Sequence, residues 1–160
     1  MNYRTGIGFD VHAFKKGRKL VLGGIDIPFE KGLAGHSDAD AVLHAITDAL
    51  LGSLALGDIG KHFPDSDNKY KNADSSFFLT EVYKLVKEKD YSLGNLDVVI
   101  ALQKPKLSPF IEKMREKVAS MLNAEMEQVS IKATTTERLG FVGREEGIAA
   151  FATVTVVKRS

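Results

Sequence analysis

The chain has no cysteine, no tryptophan and only four prolines in 160 residues. Without cysteine there can be no disulfides, iron–sulfur clusters or thiolate metal sites, so any zinc must be held by histidine and carboxylate. Excess charge is also lacking: 22 Lys and Arg face 21 Asp and Glu, a net charge of +1. That balance provides no broad basic field for nucleic acid, and any phosphate recognition must be local. Long hydrophobic runs are missing as well. The most apolar stretch, 41–57, carries His44 and Asp48 and so is no membrane span, and the first residues lack the apolar segment of a signal peptide. A soluble, cytoplasmic chain with no nucleic-acid or membrane partner is expected. What is present is a 44% apolar composition without low-complexity tracts, enough for one core in a single domain over 1–160.

Periodicity sets the order of elements. Residues 3–11 read as a strand, and 20–27, interrupted by Gly23 and Gly24, as a small hairpin. Ser37 with Asp40 three residues on resembles a capping box opening a helix whose apolar stripe is Val42, Leu43, Ile46, Ala49, Leu50 and Leu54. The polar face of that helix carries Asp40, His44 and Asp48. A loop rich in Asp, Gly and Pro covers 57–74, and Asp74 caps a second helix over 75–89. An apolar strand follows at 96–102, Pro109 sits near the start of a third helix, and 129–134 and 148–157 are closing strands. This order predicts an α+β layer with helices on one face of the sheet. Both faces of the last strand are nearly apolar, with Ile148, Ala150, Ala152, Val154 and Val156 on one side and Phe151 and Val157 on the other. Helices on one side leave the second face bare, which is expected to pack against identical subunits.

Several constellations bear on chemistry. Asp10 and His12, two apart in a strand, project to one side with Cα atoms roughly 6.6 Å apart and can converge on one ion; a solvated strand end fits them as well. His44, flanked at i−4 and i+4 by Asp40 and Asp48, reads either as a third ligand oriented by a carboxylate or as part of a charged surface face. Two His and one Asp would leave a fourth position open, as in catalytic zinc sites. The segment Lys132-Ala133-Thr134-Thr135-Thr136-Glu137 gathers hydroxyls and a carboxylate suited to phosphate and a hard cation, although a Thr-rich turn explains it equally. Gly140-Phe141-Val142-Gly143-Arg144 permits tight turns beside a cation that could clamp an anion. His36-Ser37 sits at the expected helix N-terminus, where amides and the dipole favour an anion and where capping alone also accounts for Ser37.

Taken together, these residues resemble the 2-C-methyl-D-erythritol 2,4-cyclodiphosphate synthase family over residues 8–157. The segments that carry the resemblance are Gly8-Phe9-Asp10-Val11-His12, Gly35-His36-Ser37-Asp38 through His44, Ala55-Leu56-Gly57-Asp58-Ile59-Gly60, Phe63-Pro64-Asp65, the 132–137 segment, and Gly140-Phe141 with Gly143-Arg144. The resemblance implies zinc held by Asp10, His12 and His44, and magnesium or manganese held by Glu137 between two substrate phosphates. It implies that His36 and Thr135 stabilise the transition state. Asp10, Val11, His12, His36 and Ser37 would contact substrate, as would Asp58, Ile59 and Gly60. Phe63, Pro64, Asp65, Ser66 and Asp67 would line the substrate, with Phe141 and Arg144 as further contacts. Leu102, Gln103, Lys104, Pro105, Lys106, Leu107 and Ser108 would form the cytosine pocket, and Thr134, Thr135, Thr136 and Glu137 would contact the diphosphate. The implied fold is a four-stranded mixed sheet plus a small hairpin, with helices on one face. Three such subunits would pack their sheets inward, with active sites at their interfaces. The implied reaction turns a cytidine diphosphate ester into a cyclic diphosphate and CMP, in the single-function form of the enzyme. Ala39 stands where many members carry Gly, and a stiffer first helical turn is expected from it. A zinc hydrolase and a trimeric metal- or isoprenoid-binding protein are the rival readings, and hydroxyls facing phosphate at 135–137 count against a pure binder.

Overall fold

The computed structural model of the chain describes residues 2–64 and 66–159. Its two longest runs of alternating residues become the centre of the sheet. Strand β1 (Tyr3–Lys16) pairs antiparallel with the last strand, β7 (Gly147–Lys158), from Tyr3↔Val157 to Ala13↔Gly147. On its other side β7 pairs antiparallel with β5 (Tyr91–Ala101), and β5 pairs in parallel with β6 (Val129–Thr134). The sheet is mixed, as expected, but has five strands rather than four: β4 (Lys31–Leu33) joins the outer edge of β1. Three residues are too few for a periodic signal, and only the partner strand makes this segment extended. Two other strands run further than the sequence reading: β1 continues past Val11 because β4 pairs with its end, and β5 begins five residues earlier, across a register shift between Leu93 and Asn95. The small hairpin forms as anticipated from β2 (Leu20–Leu22) and β3 (Ile25–Ile27), with Gly23 and Gly24 both at positive φ.

Helices α1 (Ala41–Ser53), α3 (Ser75–Glu88) and α4 (Ile111–Met121) cover one face, and short helices α2 (Ile59–His62) and α5 (Gly140–Gly143) lie in the connections. Helix α1 is buried on nearly every side because it lies between the sheet and α3. It can approach β1 closely because Gly6 and Gly8 carry no Cβ. A Cβ at Gly6 would sit 1.9 Å from the Ala49 carbonyl oxygen, and one at Gly8 would sit 1.8 Å from that of Ala45. Even-numbered positions of β1 and β7 thus face the helices, where Ile148, Ala150, Ala152, Val154 and Val156 are buried. Odd-numbered positions face away: Ile7 is 70% exposed, Phe9 55% and Phe151 43%. The bare apolar face inferred from the last strand is therefore present and extends onto β1.

The start of α1 departs from the sequence reading. Its N-cap is Asp40, not Ser37, and Asp40 is fully buried rather than part of a polar face. Its carboxylate accepts the backbone N–H groups of Val42, Leu43, Gly23 and Gly24, which ties the hairpin turn to the helix N-terminus. Ala39 lies before the helix with φ 58, so it stiffens no helical turn. Alanine there costs roughly 1 kcal/mol relative to glycine.

Candidate metal centre and flanking cavities

Because Asp10 and His12 occupy even positions of β1, both side chains rise on the helix-covered face. The close seat of α1 on Gly6 and Gly8 then brings His44 down beside them. His12 Nε2 lies 3.0 Å from Asp10 Oδ2, His44 Nδ1 lies 3.2 Å from the same oxygen, and the two ring nitrogens are 3.2 Å apart. Ligand atoms about 2.0–2.1 Å from a tetrahedral ion stand about 3.3 Å from one another, so the triad fits a divalent metal. It is the one such His and carboxylate group among the described residues. The fourth side opens into a cavity of about 460 Å³. Aromatic rings wall it on one side, with Phe63 4.9 Å from Phe78 and 5.4 Å from Tyr70 between centroids.

The electrostatics suit a cation. Burial works to raise the Asp10 carboxyl, but hydrogen bonding and charge from His12 and His44 outweigh it and hold the group at about 2. For His44, burial favours the neutral ring, yet the Asp10 carboxylate beside it raises its pKa overall. Neither flanking carboxylate orients His44, contrary to the reading from spacing. Asp40 is occupied as the helix cap, its carboxyl pushed up to about 6 by burial against its backbone donors. Asp48 instead accepts the Ile59 N–H at 2.7 Å, anchoring the 58–60 segment at the cavity. The neighbours of His44 Nε2 are Ser75 Oγ at 2.8 Å and Ser37 Oγ at 3.4 Å.

Of the other anticipated residues, His36, Ser37, Ile59, Gly60 and Phe63 line the same cavity. His36 and Ser37 do so from a loop four residues ahead of α1, not from its N-terminus. Asp58 caps α2, accepting the Lys61 N–H at 3.0 Å. Val11 projects onto the bare face of the sheet and is 40% exposed. Pro64, Ser66 and Asp67 do not line the cavity, and Asp67 pairs with Lys69 at 3.1 Å; Asp65 lies outside the described residues. The sequence reading missed Asn68, Tyr70, Lys71 and Phe78 as cavity residues. Phe78, on α3, has the helical spacing of a core residue, and the other three sit in a loop without periodicity.

Residues 102–108 form a second cavity of about 490 Å³ with Ala133, Thr134 and Thr135, on a loop that contains a cis Lys104–Pro105 bond. Beside it, the Thr135 hydroxyl donates to Glu137 at 3.2 Å and the Thr136 hydroxyl donates to the Leu139 carbonyl. Phe141 lies on α5, and Arg144 forks onto Glu146 at 2.8 Å. Among the described residues, the two cavities share none. The ladder Asp10↔Ala150↔Ile100↔Ala133 puts them at the same end of the sheet, separated by three strand spacings, roughly 14 Å. Within one chain, Glu137 is not part of the triad.

An α+β layer that carries an open-sided Asp-His-His centre over a polar and aromatic cavity defines a metal-dependent enzyme. The chain belongs to the YgbB family, whose model matches residues 3–157. It is 62% identical over 156 residues to the 2-C-methyl-D-erythritol 2,4-cyclodiphosphate synthase of Carboxydothermus hydrogenoformans, covering 98% of this chain and 96% of that one. The synthase of the same name from Lysinibacillus sphaericus is 58% identical over 157 residues, covering 98% and 99%. Among solved structures, the bifunctional IspDF from Campylobacter jejuni superposes with a TM-score of 0.94 at 44% identity. This chain is covered to 98% in that match and spans 42% of the bifunctional protein. A 2C-methyl-D-erythritol-2,4-cyclodiphosphate synthase in a CDP-bound form superposes at 0.89 with 35% identity, over 96% of this chain and 99% of the other.

Proposed function

We propose that this chain converts 4-diphosphocytidyl-2-C-methyl-D-erythritol 2-phosphate to 2-C-methyl-D-erythritol 2,4-cyclodiphosphate with release of CMP, in cytoplasmic, non-mevalonate isoprenoid precursor synthesis. The observation that carries this reading is the open-sided Asp10, His12 and His44 centre in a chain so close to named synthases over its full matched length. An oxygen of the 2-phosphate attacks the β-phosphorus, the bond from that phosphorus to the bridging oxygen breaks, and CMP leaves with that oxygen. No protein nucleophile is required, so the chain's task is to hold the two phosphates near attack geometry, which can contribute roughly 7–11 kcal/mol.

Asp10, His12 and His44 hold zinc, and Glu137 holds magnesium or manganese; these ions offset charge on the phosphoryl oxygens. His36 and Thr135 donate to the oxygens on which charge grows, and Ser37 meets the erythritol phosphate. Asp58, Ile59 and Gly60 with the 63–67 segment hold the sugar portions. Residues 102–108 take the cytosine, residues 134–137 the diphosphate, and Phe141 and Arg144 add contacts. The chain acts as one domain over 1–160. Three copies bury the bare faces carrying Ile7, Phe9 and Phe151, so that one subunit's metal cavity meets a neighbour's 102–108 cavity. Phosphorus NMR after incubation with substrate and magnesium tests the reaction. CMP and the cyclic diphosphate are expected in equal amounts, whereas CMP accompanied only by linear phosphates would identify a hydrolase and overturn the proposal.

A further inference from the structure

We infer that Asp38 and Ser75 form a positioning relay that keeps the His44 proton on Nε2 and so leaves Nδ1 bare for the metal. The inference rests on the reading of Asp10, His12 and His44 as a metal centre. His44 in its neutral form carries one ring proton, and two acceptors compete for it. On the Nδ1 side stands the Asp10 carboxylate at 3.2 Å. On the Nε2 side stands the Ser75 hydroxyl at 2.8 Å. If Asp10 captured the proton, Nδ1 would be blocked as a ligand, although it is the nitrogen that faces the other two.

The direction of the Ser75 hydroxyl settles the contest. Asp38 accepts the Asp40 N–H on Oδ1 at 3.2 Å and the Ser75 N–H on Oδ2 at 3.1 Å. Backbone N–H groups only donate, so each oxygen accepts here, and an ionised aspartate has no proton to give back. The Ser75 hydroxyl also bonds Asp38 Oδ1 and must donate its single proton there. Only its lone pairs remain for His44, so Nε2 is the donor and carries the hydrogen. Ser75 is fully buried as the first residue of α3, so water does not replace it. Ser37 Oγ, at 3.4 Å from Nε2, is more distant and already accepts the Ala39 N–H. Ser75 and Asp38 are therefore positioning residues: neither lines the cavity, and both act through His44.

Two substitutions separate this relay from mere packing. Ser75→Ala removes the Nε2 acceptor and should let Asp10 draw the proton to Nδ1. Asp38→Asn keeps the shape but reverses the chain: with its carbonyl kept on the Ser75 N–H, its amide gives up the Asp40 N–H, which it cannot accept, and donates to Ser75 Oγ, so the freed hydroxyl proton turns toward Nε2. The measurements are nitrogen-15 NMR of the full chain stripped of metal, at a pH where the ring is neutral, and zinc affinity by chelator competition. Wild type should show the Nε2–H form, and both variants should move toward Nδ1–H with a tenfold to hundredfold loss of zinc affinity. Ser75→Thr, which retains the hydroxyl, should restore both. An Nδ1–H ring in wild type would overturn the relay without recourse to any variant. So would variants that lose zinc affinity while keeping the Nε2–H form, since that pattern belongs to a purely structural role. A wild-type chain with the Nε2–H ring and no zinc affinity would instead refute the metal centre and leave the relay standing.

Discussion

The two cavities at the C-terminal end of β5 and its neighbours are similar in size but differently built. The cavity beside Asp10, His12 and His44 draws on segments far apart in sequence, and its key side chains interlock through half-buried hydrogen bonds. The other is shaped largely by one loop, 102–108, and the residues beside it are largely exposed, with Glu137 tied only to the Thr135 hydroxyl, which donates to its carboxylate and accepts its backbone N–H. The first is thus set by how distant parts of the chain fold together, whereas the second is set largely by one local segment. That asymmetry is what a site shared between subunits would require. A prebuilt metal centre costs no ordering at the moment of binding, and an open ligand cavity on the same chain can serve a neighbour's centre.

The sharpest way to break the first cavity is Gly8→Ala. The added Cβ would meet the Ala45 carbonyl at 1.8 Å, so α1 must lift and carry His44 away from Asp10. A destabilisation of about 3 kcal/mol in urea or thermal unfolding is expected, with weakened zinc binding. Unchanged stability would show that the helix does not rest on β1 as described. Phe151→Asp tests the joining of the cavities instead. It leaves the helix-covered core intact, so circular dichroism should report a folded chain while sedimentation reports loss of the proposed trimer and activity falls with it. A trimer as stable as wild type would mean that this face is not buried between subunits.

Glu137→Gln should leave stability within about 0.5 kcal/mol, because the side chain is exposed. Zinc content should be unchanged, while the magnesium needed for half-maximal rate rises on the order of tenfold, equivalent to about 1.4 kcal/mol. An unaltered magnesium response would place the second cation elsewhere. The last test separates the cavities by pH. Burial alone would favour neutral His44, but Asp10 raises its pKa, so a falling pH adds a proton that competes with the metal. Zinc affinity measured by chelator competition should fall at least about tenfold per pH unit below the histidine range of about 6.5. A flat profile would contradict histidine ligation.

Much of this was legible in the sequence because it rests on local patterns. The spacing of Asp10 and His12 in a strand, the Gly23-Gly24 turn, the helix stripes and the two apolar faces of β7 each declare themselves within a dozen residues. What stayed hidden depends on contacts across the chain. β4 is a strand only because β1 is its partner, and the long β1 could not be read without it. Asp40 looked like a surface carboxylate because nothing in the sequence reveals that Gly23 and Gly24 point their amides at it. Ser75 lies 31 residues from His44 and resembles any helix-opening serine. The resemblance supplied residues that spacing alone left ambiguous, His36 and Thr135 among them.

A subunit-mixing experiment tests the shared site most directly. His44→Ala removes a metal ligand, and Ala133→Phe fills the 102–108 cavity; each variant alone should be inactive. Refolded together in equal amounts, they would mix within the proposed trimer, where a site works when its metal half comes from the Ala133→Phe chain and its nucleotide half from the His44→Ala chain. Each condition holds half the time, so about a quarter of wild-type activity is expected. A mixture as inactive as its parts would contradict the account, because it would mean that a single chain must supply both halves.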